Sequence, residues 1–201
     1  GIGKALLEAA KDEAQRRGIE RFILICERFS PSGLGFSEAV GAKYDFSEHK
    51  MVLIDFKQGG PYQERIQLHK ARAEDIEVIS QITAFIFGLT VEGTRRHITE
   101  SITDPHSQYY LSKLGDVTVG CFNLFADDRE YSIYSFGVLP QYRRRGFGRQ
   151  MLDLVIADVR SRSQKRIALE VETENNHALG LYRSSGFREI TTYGYYNLDI
   201  L

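Results

Sequence analysis

Tryptophan is missing from the 201-residue sequence, and methionine, cysteine and proline occur only two, two and four times. Two cysteines, Cys26 and Cys121, cannot build the disulfide framework of a small secreted domain. Both lie in apolar, strand-like runs, so they read as reduced, buried thiols of a reducing, cytoplasmic compartment. No Cys/His grouping has metal-ligand spacing, and no metal site is expected. No apolar stretch approaches the ~20 residues that a membrane-crossing helix needs. No signal-peptide pattern precedes the first expected strand. A surplus of one charge is absent too. Lys and Arg total 26 against 27 Asp and Glu, a net charge of −1. Nucleic-acid binding needs a basic excess that this chain lacks. What is present, 42% hydrophobic and 26% charged residues, is the make-up of an ordinary globular protein.

One stretch organises the rest. The apolar run ending in Ser135-Phe136-Gly137-Val138 reads as a buried strand. Pro140 turns the chain, Arg143, Arg144 and Arg145 follow, and Gly146-Phe147-Gly148 leads into a helix pattern. Met151, Leu152, Val155, Ile156 and Val159 recur on one helical face. The first N–H groups of a helix lack partners, and the helix dipole adds positive potential there. Glycine admits close backbone approach, and arginines add charge. The stretch therefore has the makings of a phosphate site. It is neither GxxxxGK[ST] nor GxGxxG, since the third glycine is missing.

The pattern Arg-x-x-Gly-x-Gly, here Arg143, Gly146 and Gly148, resembles the acetyl-coenzyme A pyrophosphate loop of the GNAT acetyltransferase superfamily. A second stretch, Asn175 to Phe187, follows Asn-x-x-Ala-x-x-x-Tyr-x-x-x-Gly-Phe, which is also typical of that family. The element order read from the chain agrees. A strand at 66–71 is followed by helices at 74–87 and 92–102. A hairpin follows at 109–114 and 117–125, then the strand 131–139 and helix 148–162. Strand 166–172, helix 176–185 and a final hairpin from Phe187 to Ile200 complete the order. That is an α/β fold with a mixed, mostly antiparallel sheet.

The N-terminal part carries a second signal. Shifted by 145 residues, it lies on the C-terminal part without a gap. Gly1 falls on Gly146, Gly3 on Gly148, Leu24 on Leu169, Glu27 on Glu172, Gly41 on Gly186 and Leu53 on Leu198. Matches at turn glycines and strand leucines argue for an internal repeat. The expected organisation is a partial, inactive half-domain at 1–55, a Gly/Pro-bearing linker at 56–66, and a complete domain at 67–201. The first copy would start inside its own loop, as in a piece of a longer tandem protein. A half-sheet leaves an unpaired edge that must dock, on the second copy or on another chain, which leaves room for a homo-oligomer.

Acetyl transfer to an amine needs a base for the amine, donors for the oxyanion, and a proton for the departing thiolate. The resemblance implies that Tyr182 is the general acid. Taken by itself Tyr182 reads equally as a core tyrosine between Leu179 and Leu181. Glu170 is the candidate base, because a carboxylate on an interior strand has its pKa raised unless it is paired. Leu169-Glu170-Val171, twelve residues before Tyr182, is similar to the arrangement in ribosomal-protein alanine N-acetyltransferases, where that glutamate is the base. The repeat offers a control. Tyr182 falls on Ser37, Glu170 on Ile25 and Asn175 on Ser30, so the first copy keeps glycines and loses chemistry.

The resemblance further implies that the backbone of Val138 meets the pantetheine arm and supplies the oxyanion donor. It implies that amides from Arg144 through Arg145, Gly146, Phe147 and Gly148 to Arg149 hold the pyrophosphate. Arg143 or Arg144 would reach phosphate oxygens, and Asn175 would support the cofactor arm. The expected activity is acetyl-CoA-dependent N-acetylation of a primary amine, on a small molecule or a peptide N-terminus. Neither cysteine lies near the motifs, which favours direct attack in a ternary complex. The rival is a non-catalytic acyl-CoA-binding sensor. At least one of Tyr193, Tyr195 and Tyr196 is expected at the acceptor groove.

Overall fold

The computed structural model describes residues 1–19 and 21–199. The chain groups into two compact units that are not contiguous in sequence. The first comprises Gly1–Met51, Val171–Asn176 and Glu189–Leu201, and the second Val52–Glu170 and His177–Arg188.

The elements in chain order are α1 (Ile2–Arg16), β1 (Arg21–Glu27), α2 (Pro31–Ala39), β2 (Lys43–Leu53) and β3 (Gln67–Lys70). Then come α3 (Ile76–Phe87), α4 (Val91–Ser101), β4 (Ser107–Leu114), β5 (Val117–Ala126) and β6 (Glu130–Val138). Last are α5 (Phe147–Arg162), β7 (Arg166–Glu172), α6 (Asn176–Ser185) and β8 (Phe187–Asp199). The hairpin expected from Phe187 to Ile200 is instead one continuous strand over its described part. Nothing in that run forces a turn. Gly194 stays extended in register with Cys26 of β1. Ile200 lies outside the described residues.

In the second unit the strand order is β7-β6-β5-β4-β3. β6 and β7 run parallel, and the other neighbours are antiparallel. Helix α3 presents an isoleucine stripe to one face of these strands. Ile79 and Ile82 pack with Ile98, Tyr109, Leu111 and Cys121 in a buried cluster. Gly88 stops α3 in the left-handed conformation, and the Thr90 side chain caps α4 by accepting from Gly93 N–H. Helix α5 buries Met151, Leu152, Val155, Ile156 and Val159 almost completely. Each such side chain contributes about 1.5–3 kcal/mol of transfer free energy, so the start of α5 rests on a firm base.

Segment 54–66 has no helix or strand, yet it is firmly held within the second unit. Gly59 N–H donates to Asp153 Oδ2 at 2.7 Å, and the Tyr62 hydroxyl donates to the same oxygen. Ile66 N–H donates to Gln150 Oε1 at 2.6 Å, and Gln150 Nε2 donates to Glu64 O at 2.9 Å. The stretch is a strap over α5. Burial, reinforced by the Asp153 carboxylate, pushes the Tyr62 hydroxyl pKa upward.

In the first unit β1 pairs antiparallel with β8 from Arg21↔Asp199 to Glu27↔Tyr193. Its Ile23 and Ile25 stay 55% and 57% exposed. Tyr195 donates its hydroxyl to Glu48 at 2.6 Å and stacks on Phe46, while Tyr196 is buried edge-on against Tyr44.

Both cysteines are free thiols. Burial pushes the Cys121 thiol up to about 11, against a smaller opposing contribution from its Thr83 contact. The thiolate is the reactive form. A soluble alkylating reagent should therefore label half-buried Cys26 in the native protein and reach Cys121 only after unfolding. Equal native labelling of both, read by peptide mass spectrometry, would contradict the packing around Cys121. Among the described residues no helix is long and apolar enough to cross a membrane, and no cluster of His, Cys, Asp or Glu could hold a metal ion.

Candidate active site

Strands β6 and β7 begin together and then part. Their parallel pairing runs from Glu130↔Arg166 to Ile133↔Leu169 and stops there. The cause lies on the other edge of β6. Asn123 of β5 faces Tyr134, but Cys121 faces Gly137, so β6 carries one extra residue between them. Ser135 takes up that residue with φ at +49°. A bulge of this kind bends its strand and raises the local twist. It turns β6 away from β7 and opens a fork. Gly120 makes the bend possible, since a Cβ there would run into the carbonyl of Gly137.

The bulge also sorts side chains. Gly137 faces Ile86 of α3, and Cys121 meets Thr83 of the same helix. Phe136 points the other way, towards Phe122 and Tyr182, with ring centroids 6.0 and 6.2 Å away. Glu170 is the first residue of β7 beyond the paired stretch and is half-buried. Leu139 N–H bonds back to Val119 O at 2.9 Å. Alternation then turns the backbone polar groups of Val138 away from β5. Arg143 Nε donates to Val138 O at 2.9 Å.

Beyond Val138 the chain makes a short 3-10 turn at Pro140–Tyr142 and enters α5 through two left-handed residues, Arg144 at φ +63° and Gly146 at φ +81°. Alternation of this kind aims successive amides at one point. Gln150 N–H makes the first helical bond, to Gly146 O. Among the described residues the six amides from Arg144 to Arg149 donate to no protein acceptor. Phe147 buries its ring, 1% exposed, so only its backbone faces the turn.

The arginines divide by task. Arg145 pairs with Glu64 at 2.5 and 2.7 Å and lies over the Phe147 ring at 5.0 Å. Arg149 is held by Asp153 at 3.1 Å, by Ser184 Oγ at 3.3 Å and by Lys57 O. With Arg143 on Val138 O, Arg144 is the one arginine of the turn whose guanidinium has no protein partner among the described residues. The Arg149–Asp153 tie was available in the sequence as an i,i+4 pair on α5. The role of Tyr62 had no such signal.

Tyr182 is 5% exposed and sits edge-on between Phe136 and Phe187, 6.2 and 6.0 Å from their centroids. No protein group hydrogen-bonds its hydroxyl among the described residues, where Ser112 Oγ alone is both sealed and unpartnered. Loss of solvation on burial raises its pKa well above the ordinary 10. The neutral phenol is the form that can give a proton, and raising its pKa moves loss of that form to higher pH. Activity should therefore show no alkaline loss from this group over about pH 8 to 10. A downturn in that range that vanishes in Tyr182→Phe would contradict this placement. The second unit contains Val138, the turn 143–149, Glu170 and Tyr182, with Arg143 of the turn bonded to Val138 O. Asn175 belongs to the first unit.

Gly146 is the stereochemical key of the turn. A side chain at its φ of +81° is strained, costing about 1–2 kcal/mol. Gly146→Ala should lower the unfolding free energy read from urea titration by that amount and weaken coenzyme A binding about tenfold, because the amides lose their common aim. Unchanged calorimetric affinity would separate the amides from the ligand.

A mixed sheet whose parallel pair β6 and β7 forks beside a helix start with unpartnered amides places the chain among α/β proteins. More narrowly, the chain belongs to the acetyltransferase (GNAT) family, whose family model matches residues 76–187. That family takes acyl-CoA as donor. The chain is 34% identical over 93 residues to the N-alpha-acetyltransferase RimI of Mycobacterium tuberculosis, covering 44% of this chain and 57% of the relative. It is 30% identical over 112 residues to the mycothiol acetyltransferase of Beutenbergia cavernae, covering 55% and 38%. The chain thus spans roughly half or less of these relatives' length. A tandem GNAT protein from the clavulanic acid biosynthesis pathway shares its fold with a TM-score of 0.74 at 12% identity, over 100% of this chain and 70% of that one.

Proposed function

We propose that the protein transfers an acetyl group from acetyl-CoA to a primary amine by direct attack within a ternary complex. The observation that carries this reading is the run of six unpartnered amides, Arg144 to Arg149, directly below the fork. Those amides bind the pyrophosphate, and Arg144, unengaged by protein, adds its charge. The splayed backbone of Val138 receives the pantetheine arm once Arg143 releases its carbonyl, and its N–H faces the developing oxyanion. Glu170, at the mouth of the fork, takes a proton from the amine. The nitrogen bonds to the acetyl carbon, the carbon–sulfur bond breaks, and Tyr182 gives its proton to the sulfur.

The activities for which these relatives are named, N-alpha acetylation and mycothiol acetylation, support an amine as acceptor. Residues 1–55 are an inert half-copy in this reading. In support, β1 and β7 have the same bounds at the 145-residue offset, and α1, α2 and β2 fall on α5, α6 and β8 to within one residue. Ser37 and Ile25 stand where Tyr182 and Glu170 would. The test is calorimetry with coenzyme A together with thioester cleavage over a panel of amines. Binding plus amine-dependent cleavage is the expected result. Binding with no cleavage on any amine favours the sensor instead, and no binding removes both.

A further inference from the structure

A second hollow adjoins the fork from the opposite face of the strands. It has a volume of about 340 Å³, and its walls include Asp104, Tyr109, Asn123, Tyr134 and Ser135. Tyr134 and Ser135 are the residues at the β6 bulge. The next residue, Phe136, touches Tyr182 on the far face. One residue of backbone therefore separates this hollow from the proposed acid. The donor-binding turn and Tyr182 lie on the α5 and α6 side, and the hollow lies on the α4 side.

Its chemistry is uneven. Asn123 is 6% exposed and donates Nδ2 to Ser107 Oγ at 2.7 Å. Its Oδ1 accepts nothing from the protein among the described residues and is not a sealed atom. Asp104 Oδ1 accepts His106 N–H at 2.8 Å, and its Oδ2 has no protein donor. The Tyr109 and Ser101 hydroxyls satisfy each other at 2.9 Å. The hollow therefore offers two spare acceptors, one of them anionic. An acceptor that a bound ligand covers without offering it a donor loses its water at a cost, so such a site rejects an analogue lacking the donor.

We propose that this hollow is the acceptor site and that it selects a small primary amine carrying hydroxyl groups, over a plain alkylamine or a peptide N-terminus. The assignment rests on the acetyltransferase reading for the fate of the amine, but not for its binding. Hydroxyls on the acceptor donate to Asn123 Oδ1 and Asp104 Oδ2, while its amine lies at the Ser135 end beside the fork. The volume is at the small end of ligand pockets, about 300–1,000 Å³, and suits a compact molecule.

The test compares serinol, isopropylamine (the same skeleton without hydroxyls) and an alanine-initiated tripeptide, each titrated into the full chain by calorimetry. The same three are then run as acceptors with acetyl-CoA. Serinol should bind about tenfold or more tighter than isopropylamine. Asp104→Asn keeps Oδ1 for the turn, and Asn123→Ala removes the amide. Each should remove most of that preference, raising KM for serinol more than it lowers kcat. Acetyl-CoA affinity should stay unchanged. Equal binding of serinol and isopropylamine overturns the assignment. So does tighter binding of the peptide, or a serinol preference that both variants leave intact. Selective serinol binding that both variants abolish, without acetylation, upholds the site and defeats the transferase reading.

Discussion

Replacing Tyr182 by phenylalanine should lower kcat about a hundredfold or more while leaving acetyl-CoA affinity in place. The hydroxyl has no hydrogen-bond partner in the protein among the described residues, so removing it breaks no internal bond. The ring keeps its contacts with Phe136 and Phe187. Stability should accordingly change by no more than about 0.5 kcal/mol in urea unfolding. This variant is unusual in that fold and chemistry come apart cleanly. A large loss of stability would show that the phenol serves packing. Full turnover would show that another group, or water, protonates the sulfur. Measuring kcat, acetyl-CoA affinity and urea midpoint on one preparation distinguishes the three outcomes.

Asp153→Ala should destabilise the protein by about 3–5 kcal/mol, the usual cost of breaking a buried charge pair from one side. Asp153 is 6% exposed and its partner Arg149 22%. The carboxylate also accepts from Gly59 N–H and the Tyr62 hydroxyl. Its removal leaves a half-buried guanidinium without its counter-charge, and a backbone donor and a phenol without their acceptor. The strap then loses its hold on α5, and the amides just N-terminal to it lose their fixed direction. Coenzyme A binding should weaken at temperatures where the variant is still folded. Asp153→Asn is the gentler control, since it keeps an acceptor oxygen and removes the charge. A shift below about 1 kcal/mol for Asp153→Ala would mean that the strap is held by Gln150 and Glu64 alone.

The turn and its helix were legible because they are local. Glycine at 146 announces a left-handed residue, and the apolar spacing from Met151 to Val159 announces one buried face. The stop of α3 at Gly88 was legible for the same reason. The fork was not. Its cause is an extra residue at Ser135, and serine is not a residue type that advertises positive φ. Only the register of β5 against β6 reveals it. Gly59-Gly60-Pro61 reads as a linker, which describes the backbone of the strap correctly and misses its anchorage. Its bonds join residues 84 to 94 apart in sequence, and no periodicity carries such a distance. Arg149 was placed at the phosphate because of its position. Its amide has no protein acceptor among the described residues, while its guanidinium is spent on Asp153 and Lys57. The supposed last hairpin failed for want of a turn. Gly194 lies between tyrosines and stays in the ladder opposite Cys26.

The single surplus residue of β6 has a consequence for how such a cleft could be erased. Tyr134 and Gly137 lie on the same side, and Phe136 on the other. Were Ser135 deleted, these three would already alternate as an uninterrupted strand should. No side chain would need to change sides, and the ladder with β7 could continue past Leu169. The protein thus stands one codon away from a seamless sheet, and its opening is kept by a length mismatch that no point substitution at the rim would repair.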